Sequence, residues 1–247
     1  MNASATIGAL RDMSPKVKAR LAGTFYLITM LGGVFAQGFV SDQLVVASDA
    51  AATARNIQTH EPLFRLGFAI YLIEMACQIT MTVLFYDLLK PVGKSISLLA
   101  ATFGLIGCTV KTLSRLFFSA PLLVLGGAPY LSVFSAEQLH ALAFLFLRMN
   151  YQAETIAMVF FGFYTLLNGY LIYRSGFLPR ALGVVSAAGG SFWLTYLYEP
   201  LAVRLLPIIL AVAALGAFSL VLWLLVVGVN EQRWNERAGA AAASRWK

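Results

Sequence analysis

Ser97 to Leu125 is an apolar stretch long enough to cross a bilayer as a helix, yet it carries Lys111 and Arg115 at its heart. A second apolar span, Leu63 to Leu89, carries Glu74 and Gln78. A charge turned toward lipid near the bilayer centre costs at least about 2.5 to 3.5 kcal/mol on insertion scales. Opposite charges on separate hydrophobic spans therefore demand helices packed so that the charges meet away from lipid. The fold class that satisfies this demand is all-α, a polytopic membrane helix bundle.

Composition agrees with that solvent. The 247 residues are 60% hydrophobic and 12% charged, far from the balance of a soluble domain of this length. The net charge of +7 does not point to nucleic acid, because the basic residues cluster in short segments between apolar spans rather than in a patch among polar residues. Cys77 and Cys108 lie inside apolar spans, and His60 and His140 are far apart in the chain. Such an inventory supports neither a disulfide framework nor a metal site, and no cofactor is expected.

Six crossings are expected, plus a short extracytoplasmic helix and an interfacial segment. Leu21 to Val40 spans about 30 Å as a helix, too long for the apolar part of a signal peptide, so Arg20 to Val40 reads as a retained first crossing. Its glycines, Gly23, Gly32, Gly33 and Gly38, suit close helix packing. In the polar connection that follows, Ser48 or Asp49 is placed to cap a short helix ending near Gln58. The second crossing runs from about Pro62 to Leu89, and the third from about Ser95 to Leu125 with a kink expected at Pro121.

Ala136 to Tyr173 as one helix would measure roughly 55 Å against a hydrocarbon core of about 30 Å. A break is therefore expected. Ser135 and Gln138 form a capping box opening an interfacial segment to Asn150, and Tyr151 to Tyr173 makes the fourth crossing. The fifth and sixth run from about Leu178 to Tyr198 and from Leu201 to Val229. The chain thus divides into an N-terminal segment, 1–19, a membrane domain, 20–229, and a tail, 230–247, in which Trp234 and Trp246 suit an interfacial anchor.

Arg11, Lys16, Lys18, Arg20, Lys90, Lys94, Arg174, Arg180, Arg233, Arg237, Arg245 and Lys247 fall on one side of this topology. The other side holds mainly Arg55, Arg65, Arg148 and Arg204. By the positive-inside bias both termini are expected in the cytoplasm.

Several stretches carry a resemblance. Arg20 to Ile28, Asp49 to Ile57, Glu61 to Arg65, Phe161 to Phe163 and above all Gly169 to Gly183 resemble a bacterial family of integral membrane proteins defined as a domain of unknown function. The resemblance implies a multi-span fold in a bacterial inner membrane. It supplies no reaction, ligand or catalytic residue, and Lys111 and Arg115 lie outside the resembling stretches.

Depth pairs the charges. At about 1.5 Å per residue, Glu74 lies about 24 Å from the level of Lys90 and Lys111 about 25 Å from that of Lys94. By the same count Arg115 lies about 31 Å from Lys94 and Glu154 about 30 Å from Arg174. Glu74 is thus expected to meet Lys111, and Arg115 to meet Glu154. Glu74 with Gln78, and Lys111 with Arg115, each share one helix face. Tyr151, Gln152, Tyr164 and Asn168 are placed to extend a polar lining.

Two readings follow. In the first, Glu74, Gln78, Lys111, Arg115 and Glu154 form a site that binds or transports a small polar or anionic ligand. In the second, the ion pairs only stabilise a structural or regulatory membrane protein. The chain has no His-Glu-x-x-His, Gly-x-Ser-x-Gly or paired-cysteine motif, so it offers weak grounds for an enzyme. Membrane lipids are the expected surroundings, and the oligomeric state stays open because small residues serve internal and intermolecular packing alike.

Overall fold

A computed structural model describes residues 13–243, and every regular element among them is helical. Segment 1–12 with Arg11, and Arg245, Trp246 and Lys247, lie outside the described residues. In chain order the helices are α1, Pro15–Val34; α2, Ala50–Thr59; α3, Glu61–Leu89; α4, Lys94–Val124; α5, Ala136–Ser175; α6, Arg180–Trp193; α7, Glu199–Val226; and α8, Glu231–Ala243.

Local chemistry explains three of the helix starts. Pro15 opens α1, where a missing N–H costs nothing, and the Ser14 hydroxyl accepts from the Val17 N–H. Of the two candidate caps, Ser48 and Asp49, it is Asp49 that caps α2, accepting from the Ala52 N–H at 2.8 Å. At the start of α5 the capping box forms in both directions, Ser135 N–H to Gln138 Oε1 at 2.8 Å and Gln138 N–H to Ser135 Oγ at 3.2 Å.

The structure differs from the sequence expectations in three places. First, α1 passes without interruption into a π-helix, Phe35–Ser41, and a last α-turn, Asp42–Leu44. Second, the break expected near Asn150 is absent, and α5 is one helix of 40 residues. Between Ala136 and Phe161 there is no proline or glycine to interrupt the hydrogen-bond ladder, and Thr155 bonds back to the Tyr151 carbonyl at 3.0 Å without ending it. Third, the expected fifth crossing is an α-helix of 14 residues followed by a 3-10 segment, Leu194–Leu197.

Five helical stretches among the described residues have the length and apolarity to cross a membrane: Pro15–Leu44, Glu61–Leu89, Lys94–Val124, Ala136–Ser175 and Glu199–Val226. Their polarity is reversed relative to water. On α4, Leu113 and Leu116 are 56% and 65% exposed, while Arg115 between them is 1% exposed. Leu215, Leu222 and Val226 on α7 also face outward. An apolar exterior around buried charge is stable in lipid and unstable in water.

The chain divides into two compact units. Among the described residues, one comprises 13–27, Ile79–Leu105 and 159–243. Its core includes Phe85, Leu88, Leu171, Ile172, Leu178 and Leu224. Within it α5 and α6 touch backbone to backbone: a Cβ on Gly183 would lie 2.5 Å from the Tyr173 nitrogen, and one on Gly190 would lie 2.4 Å from the Leu166 nitrogen. Small residues thus substitute for hydrophobic driving force in helix association. Gly176, at φ +75°, makes the turn between the two helices.

The other unit comprises Ile28–Gln78 and Ile106–Met158. Its core gathers Val40, Leu44, Ile57, Phe64, Tyr71, Phe118 and Leu147. Phe64 stacks on Phe118 with ring centroids 4.4 Å apart. All the charged residues expected at a site fall in this second unit.

Candidate functional site

The four charges paired by depth find their expected partners. Lys111 Nζ on α4 donates to Glu74 Oε1 on α3 at 2.7 Å, with the two side chains 12% and 5% exposed. Arg115, one turn further along α4, forms an ion pair through Nη2 with Glu154 Oε1 on α5. Gln78 is buried on α3, one turn from Glu74.

The two pairs differ in surroundings. Gly33 of α1 approaches Glu74 so closely that a Cβ there would lie 3.2 Å from Oε1. Glu74 Oε2 is buried and lacks a hydrogen-bond partner among the described residues. With one charge-assisted hydrogen bond and a glycine closing one side, Glu74–Lys111 is a closed contact.

Arg115 is the centre of a larger network. Its Nη1 donates to Asn150 Oδ1 at 3.3 Å, and its guanidinium carbon lies 3.6 Å from the centroid of the Tyr71 ring. Tyr71 in turn meets Phe118 edge-on, at 5.2 Å and 80°. The Tyr71 hydroxyl donates to Gln37 Oε1 at 3.1 Å and lies 3.1 Å from Ser41 Oγ. Having spent its only hydrogen on Gln37, the phenol accepts from Ser41. Gln37 Nε2 completes the chain by donating to Asp42 Oδ1 at 2.7 Å.

Gln37 and Ser41 both belong to the π-helix. The wider turn alters which side chains share a face, and here it presents both polar groups to Tyr71; π-helical turns frequently mark functional sites for such reasons.

The network faces a cavity of about 280 Å³. Asn150 and Glu154 contribute to its wall, Gln37, Ser41 and Asp42 come from the π-helical end of α1, and Phe118, Phe144 and Leu147 supply apolar surface. Arg148 and Tyr151, both exposed and 5.9 Å apart from guanidinium carbon to ring centroid, also line it. A single water needs only about 10 to 15 Å³ of such space, so the cavity has room for a small polar molecule. Of the five residues expected at a site, Glu154 lines it, whereas Glu74, Gln78, Lys111 and Arg115 do not.

Of the polar residues expected to extend the lining, Tyr151 does so, whereas Gln152 is exposed and lines none of this cavity. Tyr164 and Asn168 belong to the first unit. Sequence reasoning missed Tyr71 and Asn150. A signal was present in each case: Tyr71 stands three residues before Glu74 and Asn150 four before Glu154, spacings that put each on its acidic neighbour's face.

Both cysteines are buried free thiols. Among the described residues no group of three or more His, Cys, Asp or Glu side chains is arranged to hold a metal ion.

A family model described as "Domain of unknown function (DUF4386)" matches residues 21–228. The chain therefore belongs to that family. It is also similar to an uncharacterized protein of Archaeoglobus fulgidus, 27% identical over 116 residues, which cover 47% of this chain and 55% of that protein. The match thus spans about half the length of that curated relative. No solved structure matches the chain.

Proposed function

We propose that this member of the family binds a small polar or anionic ligand in the cavity walled by Asn150 and Glu154, with Arg115 as the charge behind them. The observation that carries the reading is the contrast between the two ion pairs. Glu74–Lys111 is closed, whereas Glu154 opens onto a cavity while holding a guanidinium that is 1% exposed. An anionic group entering the cavity competes with Glu154 for Arg115, and Asn150 offers a second polar contact. Such an exchange keeps the buried guanidinium paired throughout, which avoids the cost of stranding it.

The alternative, a purely structural role, is favoured at Glu74–Lys111. There the contact is short, buried and backed by Gly33. On this proposal the five charged and polar residues divide: Arg115 and Glu154 serve the ligand, and Glu74, Gln78 and Lys111 hold helix register.

The test is mass-spectrometric identification of small molecules released from the protein purified in detergent, comparing wild type with Glu154→Gln and Lys111→Met. A small polar or anionic compound present in wild type, changed in occupancy by Glu154→Gln and unchanged by Lys111→Met, is expected. Equal recovery from all three proteins would refute the assignment.

We also propose six crossings in a bacterial inner membrane with both termini in the cytoplasm. The α6 helix with its 3-10 extension measures about 29 Å at about 1.5 and 2.0 Å per residue, close to the hydrocarbon thickness. Lys16, Lys18 and Arg20 lie in the first two turns of α1, Lys90, Lys94, Arg174 and Arg180 at helix ends or turns, and Arg233 and Arg237 on α8, all on the side assigned inward. A C-terminal alkaline phosphatase fusion should be inactive and a fluorescent-protein fusion bright; the reverse would sink this topology.

A further inference from the structure

A second cavity, in the first unit, is lined by three basic residues. It has a volume of about 570 Å³ and lies between the turn joining α3 to α4 and the C-terminal helix α8. Lys90 and Lys94 line it from the turn, and Trp234 and Arg237 line it from α8, whose alanines complete the wall.

The helix that closes this cavity is held in place by polar contacts with carbonyl groups. Trp234 Nε1 donates to the Leu88 carbonyl at 2.8 Å. Arg233 Nη1 donates to the Gly176 carbonyl at 3.1 Å, and Arg237 Nη2 to the Arg174 carbonyl at 3.0 Å. The two arginine bonds meet the C-terminal end of α5 and the tryptophan bond that of α3, where unsatisfied carbonyls concentrate negative charge. The α8 helix is therefore a built part of the unit, and the cavity it covers is a defined space.

Charge in that space is unbalanced. Lys90 pairs with Asp87, but the same carboxylate also pairs with Lys18. Three cations, Lys90, Lys94 and Arg237, line the cavity, and Asp87 already divides its single charge between two lysines. Lys94 is exposed at the first position of α4, where backbone N–H groups add positive potential. An aromatic ring with a polar edge, of the kind enriched where headgroups meet hydrocarbon, forms part of the same wall.

We propose that this cavity is a binding site for the phosphate headgroup of an anionic phospholipid, with Lys94 and Arg237 as its principal anchors and Trp234 at the boundary with the acyl chains. The membrane setting decides the occupant. Basic pockets at the ends of transmembrane helices recognise acidic headgroups, and each Lys or Arg near the surface contributes a measurable share of the attraction. The site is independent of the ligand cavity in the second unit.

The experiment uses the full chain in detergent, exchanged into mixed phosphatidylcholine and phosphatidylglycerol micelles and observed by native mass spectrometry. Wild type should retain phosphatidylglycerol in preference to phosphatidylcholine. Lys94→Gln should lower that preference about fivefold, and Lys94→Arg should keep most of it. Arg237→Gln should lower it as well, and thermal melting of each variant checks that the bundle survives.

Equal retention of the two lipids by wild type, or an unchanged preference in Lys94→Gln, would overturn the proposal. A parallel titration with inorganic phosphate distinguishes the sources. Lys94-dependent phosphate binding without a lipid preference would mean a soluble phosphate site, and the lipid assignment would fall.

Discussion

If Glu74–Lys111 is a closed structural pair, removing either partner should strand the other inside the bundle. Breaking a buried ion pair by one substitution costs about 3 to 5 kcal/mol, because the remaining charge stays desolvated without compensation. Here the lower end applies. Only one carboxylate oxygen is hydrogen-bonded to Lys111, at 2.7 Å, and Lys111 is 12% exposed, so its desolvation is incomplete.

Glu74→Gln and Lys111→Met are therefore each expected to destabilise by about 3 kcal/mol, a shift of roughly 150-fold in the folding equilibrium. If the two acted independently, the double variant would lose about 6 kcal/mol. With the charges removed together, no ion is stranded, and the loss should fall to about 1 to 2 kcal/mol. The assay is reversible unfolding in mixed micelles titrated with sodium dodecyl sulfate, followed by tryptophan fluorescence. A double variant as unstable as the sum of the singles would refute the pairing, because it would show that the two residues stabilise the bundle separately.

Two further predictions test other contacts. Gly190→Ala should destabilise by about 3 kcal/mol, because its Cβ would meet the Leu166 backbone nitrogen at 2.4 Å. Gly189→Ala, whose nearest neighbour would be the Ala213 Cα at 3.6 Å, should be neutral or gain up to about 1 kcal/mol by the same unfolding assay. At Tyr71, replacement by Phe keeps the ring over Arg115 and loses only the phenol link to Gln37 and Ser41, about 1 kcal/mol. Replacement by Leu should cost about 2 kcal/mol more by removing the cation–π contact; equal losses for the two would show that the ring face contributes nothing.

The amino-acid sequence alone determined that this chain is a helical membrane protein, which helices carry charge, and which charges meet. Those conclusions rest on quantities local to the chain: the length of apolar runs, the rise per residue, and the cost of placing an ion in hydrocarbon. Capping at Asp49 and at Ser135 with Gln138 was equally legible, since a cap involves residues only a few positions apart.

Tertiary structure decided what the charges do once they meet. Depth counting paired Glu74 with Lys111 and Arg115 with Glu154 on equal terms, but only the packing of Gly33 against one pair and of a cavity against the other separates a closed contact from an accessible one. The unbroken course of α5 and the π-helical end of α1 were also hidden. Each is set by a balance between the helix's own ladder and the neighbours its side chains reach. Hydrophobicity places a residue along a helix, whereas the helix's rotation and the shape of its neighbours place the side chain around it. That second coordinate exists only after the helices have packed.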